Sequence, residues 1–183
     1  MRPATFLLLV SMIWAGSAIA ETGGTLGLYV DTEGIECNIP DVVPGLLTIN
    51  LIHKTDGAAA SQFSLPIPAC FTAVFLSGGD PWGFCPNPIA GCAIGYGQCL
   101  SGAIYVIPIN FFGYGTTPPC CKYTVMPDPD APSGEIEVVD CEYNIIYGLG
   151  EVAVINGDGS CPCGYTVPAE ETTWGQVKAL FVE

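Results

Sequence analysis

Ten cysteines constrain the fold of this chain more than any other feature of its sequence. They are Cys37, Cys70, Cys85, Cys92, Cys99, Cys120, Cys121, Cys141, Cys161 and Cys163. An even number of cysteines in an exported chain predicts a disulfide framework. Neither the adjacent pair at 120 and 121 nor the close pair at 161 and 163 can bridge internally without strain, so distant partners are expected. The connectivity does not follow from the sequence.

The alternative use for so many cysteines is metal binding. The sequence contains no Cys-x-x-Cys and no Cys-x-x-Cys-His motif, so the signatures of zinc ribbons, thioredoxin-type redox centres and c-type haem attachment are missing. We therefore assign all ten cysteines to disulfide bonds. We predict no metal-ligating residue, no cofactor-binding residue and no cofactor.

Residues 1–20 have the pattern of a secretory signal peptide. Arg2 gives a basic start, Thr5–Ala15 is mostly apolar, and Ser17–Ala20 ends in the small residues that signal peptidase reads. Cleavage after Ala20 predicts a mature chain secreted to the extracellular space, the cell surface or the periplasm. No later apolar run is long enough to span a membrane, so no insertion is expected after cleavage.

The chain is strongly acidic, with 18 acidic against four basic residues and a formal net charge of -14. Nucleic acid is excluded as a partner because phosphate contacts need a cationic face. Anionic membranes are disfavoured for the same reason. The scattered acids favour a solubility role, and calcium or a cationic partner is the alternative.

Short apolar segments separated by glycine and proline predict an all-β fold. Period-two alternation or a continuous apolar run marks nine segments: Thr25–Asp31, Leu46–His53, Gln62–Ile67, Phe71–Leu76, Ala103–Phe112, Lys122–Met126, Glu135–Cys141, Tyr143–Tyr147 and Glu151–Ile155. Such spacing is typical of a sandwich or barrel. We predict a disulfide-braced β-sandwich over residues 21–171, with an edge position, bend or bulge at Pro108.

The C-terminal residues 172–183 are expected to form a short helix. Thr173–Gln176 has the form of a capping box, and Val177, Leu180 and Phe181 follow at helical spacing. So short a helix is marginal alone, so we expect it to dock on the domain or on a partner.

Two stretches are candidates for calcium. Asn156–Gly159 looks like part of a calcium loop, but the pattern's first and twelfth positions fall on Val154 and Tyr165, so a tight hairpin turn is favoured. Asp128–Glu142 is the densest acidic stretch, and whether its carboxylates converge on calcium does not follow from the sequence. A solvated strand face is the simpler interpretation of that stretch.

No residue is assigned a catalytic role. His53 is the only histidine and ends an apolar strand face, which is more typical of a structural residue, and no Gly-x-Ser-x-Gly elbow accompanies it. Trp82 lies in a loop and could stack on a sugar, although a packed anchor beside Cys85 is favoured.

Several segments resemble uncharacterised secreted, cysteine-rich proteins of environmental bacteria. They are Gly27–Asp31, Ala60–Phe63, Ile94–Gly97, Val138–Cys141, Cys161–Cys163 and Thr173–Leu180. That resemblance brings no known activity and no known site residues. The opening strands and the segment at 60–63 also resemble cohesin-type and immunoglobulin-like sandwiches, which implies binding or assembly.

The combined prediction is a non-catalytic extracellular or cell-surface module for binding, adhesion or assembly. Its partner would be an extracellular protein or a glycan, and the oligomeric state stays open. A secreted hydrolase acting on glycans and a structural coat or filament subunit are the alternatives. A cleft with convergent carboxylates would favour the enzyme. An exposed strand edge would favour the structural subunit, and a flat aromatic strip would favour a glycan-binding protein.

Overall fold

A computed structural model of the chain describes residues 23–79, 82 and 85–164. Every regular element in these ranges is a strand. The nine strands are β1 Thr25–Tyr29, β2 Asn38–Ile39, β3 Gly45–Phe63, β4 Ala73–Gly78, β5 Cys92–Gly113, β6 Cys121–Thr124, β7 Ile136–Val139, β8 Ile145–Gly150 and β9 Val152–Ile155. In the described part of the chain, no helix is long and apolar enough to cross a membrane.

The strands form two sheets. The larger has the order β1-β8-β7-β3-β5-β4 and the smaller the order β2-β9-β6. Strand β3 is the spine of the larger sheet: one edge pairs with β5, while the other pairs first with β1 and then with β7. The pairings β1–β8 and β2–β9 are parallel, and the others are antiparallel.

A single apolar core lies between the sheets. Leu28, Ile49 and Phe111 come from the larger sheet, and Tyr123 and Ile155 come from the smaller. All five side chains are at most 1% exposed, and burying each is worth about 1.5–3 kcal/mol. The predicted all-β sandwich is therefore confirmed.

Five disulfides brace this sandwich. They join Cys37 to Cys163, Cys70 to Cys121, Cys85 to Cys92, Cys99 to Cys141, and Cys120 to Cys161. The close cysteines at 120 and 121, and at 161 and 163, each pair with a distant partner, and no cysteine is free. The bond between Cys70 and Cys121 joins the segment before β4 to the smaller sheet.

The strand boundaries differ from the sequence prediction in several places. The separate strands predicted around Leu46–His53 and Gln62–Ile67 are one 19-residue strand, β3, which ends at Phe63. The strand predicted from Phe71 begins at Ala73, and the short β2 was missed. The pairing of β3 with β5 shifts register close to Pro108: Ile107 faces Leu51, and Tyr105 faces Ile52. Both the signal peptide and the C-terminal helix fall outside the described residues.

Candidate functional site

The outward face of the larger sheet is the candidate site, at the end where β8, β7, β3 and β5 lie side by side. Ser61 and Phe63 point into the core, so Ala60 and Gln62 point outward. The strand register then aligns two rows across the four strands. The rows are Ile145, Val139, Ala60 and Gly95, and Tyr147, Glu137, Gln62 and Ala93. These eight residues, with Tyr143 in the preceding turn, are called the aromatic face below.

Three large side chains of the aromatic face stand in water. Tyr143 is 82% exposed, Ile145 is 61% exposed and Tyr147 is 53% exposed. Ile145 and Tyr147 are alternate residues of β8 and so share one side of the sheet. Ile145 and Tyr147 thus expose neighbouring apolar surface, which is typical of interaction sites.

The turn between β7 and β8 holds Tyr143 in a defined position. Asp140 accepts hydrogen bonds from the backbone N–H of Glu142 at 2.9 Å and of Asn144 at 2.8 Å, and from the Asn144 side chain at 3.0 Å. These bonds, led by that of the Asn144 side chain, hold the pKa of Asp140 below its usual value. Tyr143 has a φ of 66°, which is uncommon for a bulky residue.

A disulfide anchors this turn to the rest of the sheet. Cys141 lies within the turn and is bonded to Cys99 of β5. The ring of Tyr143 is therefore presented on a backbone that is fixed by both a covalent bond and the Asp140 hydrogen bonds. A side chain presented on a fixed backbone loses less conformational freedom on binding than one on a mobile loop.

Small residues make a shallow groove beside the exposed side chains. Its volume is 210 Å³, and Ala60, Ala93, Val139 and Ile145 contribute to its lining. The polar groups at its margin are already oriented. Gln62 donates to Asp128 at 3.1 Å, and Glu137 accepts from Ser133 at 2.7 Å. The groove thus combines an aliphatic floor with a fixed polar border.

The histidine does not reach this surface. His53 is fully buried, and its Nε2 lies 2.6 Å from the carbonyl oxygen of Gly23, to which it must donate. Its Nδ1 then accepts from the Tyr96 hydroxyl at 2.9 Å, which in turn accepts from Ser61 at 2.7 Å. Burial lowers the pKa of His53, which keeps the ring neutral. This Ser–Tyr–His chain is a structural tie inside the sandwich.

The polar side chains of the turn at residues 156–159 form hydrogen bonds within the protein. The Asn156 side chain donates to the backbone carbonyls of Asp41 and Thr117 and accepts from the Asp41 N–H. Asp158 accepts from the hydroxyl and N–H of Ser160. Cys120 and Cys161 lie close to Asp158, but their sulfurs are joined in a disulfide. The arrangement is therefore a turn that the disulfide between Cys120 and Cys161 braces.

Three carboxylates of the acidic stretch 128–142 are held by separate sets of hydrogen bonds. Asp128 accepts from the N–H of Asp130 and from Gln62, Glu137 accepts from Ser133, and Asp140 caps its own turn. Each of these three carboxylates is thus bonded to a different set of donors.

Trp82 packs partly against the protein. Its indole N–H donates to the carbonyl oxygen of Tyr105 at 3.0 Å, and its ring lies 5.7 Å from that of Tyr96. About a third of the residue is exposed, which suits a packed loop anchor better than an open stacking platform.

A polar cluster that sequence reasoning missed joins β1, β3 and the residue between β8 and β9. Glu151, which is 8% exposed, accepts hydrogen bonds from Tyr29 and Thr25. Lys54 donates to the Tyr29 hydroxyl at 2.6 Å and lies 3.9 Å from Glu151. Burial, followed by the bond to Glu151, raises the pKa of Tyr29 far above its usual range. Only long-range strand pairing brings these residues together.

Comparisons with known proteins place three cohesin modules among the similar solved structures. No family model and no curated protein matches the chain. The cohesin module from the Clostridium perfringens ATCC13124 family 33 glycoside hydrolase is 8% identical, with a TM-score of 0.46 over 75% of this chain and 99% of that one. The seventh ScaB type I cohesin from Pseudobacteroides cellulosolvens is 10% identical, with a TM-score of 0.45 over 78% and 97%. The sixth cohesin from Acetivibrio cellulolyticus' scaffoldin B, solved in complex with a Cel5 dockerin mutant, is 13% identical, with a TM-score of 0.45 over 75% and 100%.

Proposed function

We propose that this protein is a non-catalytic extracellular module that binds a partner protein through the aromatic face. The observation that carries the proposal is the exposure of Tyr143, Ile145 and Tyr147 on a rigid sheet surface. Tyrosine is enriched among the residues that dominate binding energy at protein interfaces, especially where it is held in place before binding.

The row of Ile145, Val139 and Ala60 favours a protein over a glycan. None of these side chains offers a hydrogen-bonding group, and together they extend the exposed apolar surface into the groove. An apolar side chain of a partner protein would fill that groove, with Glu137 and Gln62 at the polar rim. This arrangement matches the usual anatomy of a protein interface.

A glycan is the second candidate, and the observation that favours it is the pair of exposed tyrosines flanking Ile145. Aromatic rings can stack on the apolar face of a sugar while Glu137 and Gln62 bond to hydroxyl groups. Both side chains already have a protein partner at the groove margin, so a sugar would have to share or displace those bonds.

Two groups that could serve a hydrolase have structural roles here. His53 is buried in the Ser–Tyr–His tie, and Asp140 caps the turn that carries Tyr143. These assignments favour a binding module over the alternative of a secreted hydrolase.

The extracellular location is supported by the five disulfides, which form in oxidising compartments. The proposal includes export under the leader at residues 1–20 and a mature sandwich over residues 21–171. In this proposal, residues 172–183 are a separate C-terminal segment that docks on the sandwich or on a partner.

Site-specific photo-crosslinking tests the proposal. A photoreactive phenylalanine analogue replaces Tyr143. The same analogue at Ile35, which is 80% exposed in the loop 31–36 and lies outside the aromatic face, is the matched control. The probe is the secreted protein fraction of the organism that makes this chain. We expect a discrete adduct from position 143 that position 35 does not give.

The captured protein is then purified and its affinity is measured by titration calorimetry. Tyr147→Ser should raise Kd at least about tenfold, as truncating an interface hot spot does, whereas Ile35→Ser should leave Kd unchanged. Equal adducts from both positions would overturn the proposal. If the chain binds a glycan array and Tyr143→Ala abolishes that binding, the partner is a glycan and not a protein.

A further inference from the structure

A second surface of the same sheet is set apart by its lack of charge. In this acidic chain, residues 57–121 contain a single charged residue, Asp80, and residues 42–52 contain none. These ranges hold all of β4 and β5, and all of β3 except residues 53–56. The other 17 acids lie outside these ranges. One of them, Asp41, is buried beside this surface, where it accepts from Gly115 and Thr117.

Apolar side chains are exposed on this uncharged surface. The register aligns Val74 of β4, Phe112 of β5 and Leu46 of β3 in one row across three strands. All three are exposed, with Leu46 at 80%, and so are the neighbouring Leu76 and Tyr114. The Tyr114 ring packs edge-on against that of Phe112 at 5.7 Å. These five residues are called the aliphatic patch below.

An uncharged polar rim borders the aliphatic patch. Thr48 donates to Asn110 at 2.8 Å, and Asn110 donates to Ser77 at 3.2 Å, which makes a ladder across the same three strands. On the other side, the hydroxyls of Thr72 and Thr116 lie 2.9 Å apart. An apolar centre with a polar margin is the anatomy of a protein interface.

The edge of the sheet favours face-to-face contact over strand addition. Among the described residues, β4 pairs with β5 alone. A register shift between Phe75 and Ser77 interrupts that pairing, and such bulges blunt an edge against further strands. A partner is therefore expected to cover the exposed side chains and not to extend the sheet.

We propose that the aliphatic patch is the contact between two copies of this chain in a two-fold symmetric dimer. The charge distribution selects this occupant. A second copy also carries a net charge of -14, so contact through an acidic surface would place like charges together. Contact through the aliphatic patch keeps the acids of both copies at the periphery, and a two-fold axis sets the same row against itself.

Sedimentation velocity of the mature, disulfide-intact chain tests this proposal. Because the two copies repel each other over distance, dimerisation should strengthen as NaCl rises from about 0.01 M to about 1 M, which shortens the screening length from about 30 Å to about 3 Å. A chain that stays monomeric at every salt concentration, up to its solubility limit, would overturn the proposal.

Two variants with equal charge change locate the contact. Leu46→Glu and Ile35→Glu each replace an apolar side chain that is 80% exposed, so neither should alter the fold. Leu46→Glu, within the patch, should raise the dimer Kd at least about tenfold because it sets like charges across the axis. Ile35→Glu should leave the dimer Kd almost unchanged. Val74→Glu, also within the patch, should raise the dimer Kd as Leu46→Glu does. Equal weakening by Leu46→Glu and Ile35→Glu, or a dimer that survives Leu46→Glu, would refute the contact.

Discussion

Acidification should destabilise this protein through one buried side chain, His53. The ring is neutral in the folded state because burial lowers its pKa from 6.5, and the Tyr96 hydroxyl donates to it. In the unfolded chain the ring titrates near 6.5. Below that value the unfolded state therefore binds a proton that the folded state does not.

The sign and size of the effect follow from this difference. The unfolding free energy should be constant above the unfolded pKa and should fall as the pH drops from 6.5 towards the lowered folded value. The loss approaches about 1.4 kcal/mol per pH unit at most, and between about pH 7.5 and about pH 5.5 it totals at most about 1.4 kcal/mol. Unperturbed carboxylates titrate near pH 4, below this window, so they contribute little to the slope.

Urea denaturation without reductant measures the slope. His53→Gln keeps a donor and an acceptor at the site but cannot titrate, so its unfolding free energy should be nearly flat over the same window. Because the chain has a single histidine, no second imidazole complicates the comparison. An identical slope in the wild type and in His53→Gln would refute the reasoning, whatever the absolute stability of the variant.

Three further predictions concern the framework and the C-terminus. The unreduced, denatured protein should show no alkylatable thiol by intact mass, and reduction should expose ten. Phe111→Ala should lower the unfolding free energy by about 3–5 kcal/mol in urea, because the ring is fully buried against Phe71 and Tyr123, while Leu46→Ala should change it by less than about 0.5 kcal/mol. Truncation before Thr172 should lower the melting temperature if the segment docks on its own domain. If the segment binds a partner, the melting temperature should hold while assembly is lost, and no change in either would refute docking.

The fold class could be predicted from the sequence because its causes are local. Alternating residues such as Leu26 and Leu28 do point into the core, and the cysteine count does report a disulfide framework. The continuity of β3 could not be predicted. Gly57 and Ala58–Ala60 carry no alternating pattern, and this stretch becomes a strand because β5 and β7 pair with it from distant parts of the chain.

The position of the aromatic face could not be predicted from the sequence for a different reason. The strand at β8 was expected, yet both of its faces are apolar, so the pattern alone does not say which one meets water. Ile136 and Val138 of β7 take the buried side, which leaves Ile145 and Tyr147 outward. The Asp140 turn was also missed, although an aspartate between two strands can bond the backbone N–H two residues on, which is a local signal.

The two proposed surfaces lie on one side of the larger sheet, and the acidic loop 31–36 lies between them. Along β3, Leu46 belongs to the aliphatic patch and Ala60 to the aromatic face. Between them Asn50 donates to the Val30 carbonyl, and Gly34 sits against Ile52, so the loop covers the middle of the strand. The loop separates the two surfaces along β3, so we expect a dimer formed through the patch to leave both aromatic faces free. Two faces held at a fixed separation would bind a repetitive or surface-bound partner far more tightly than one.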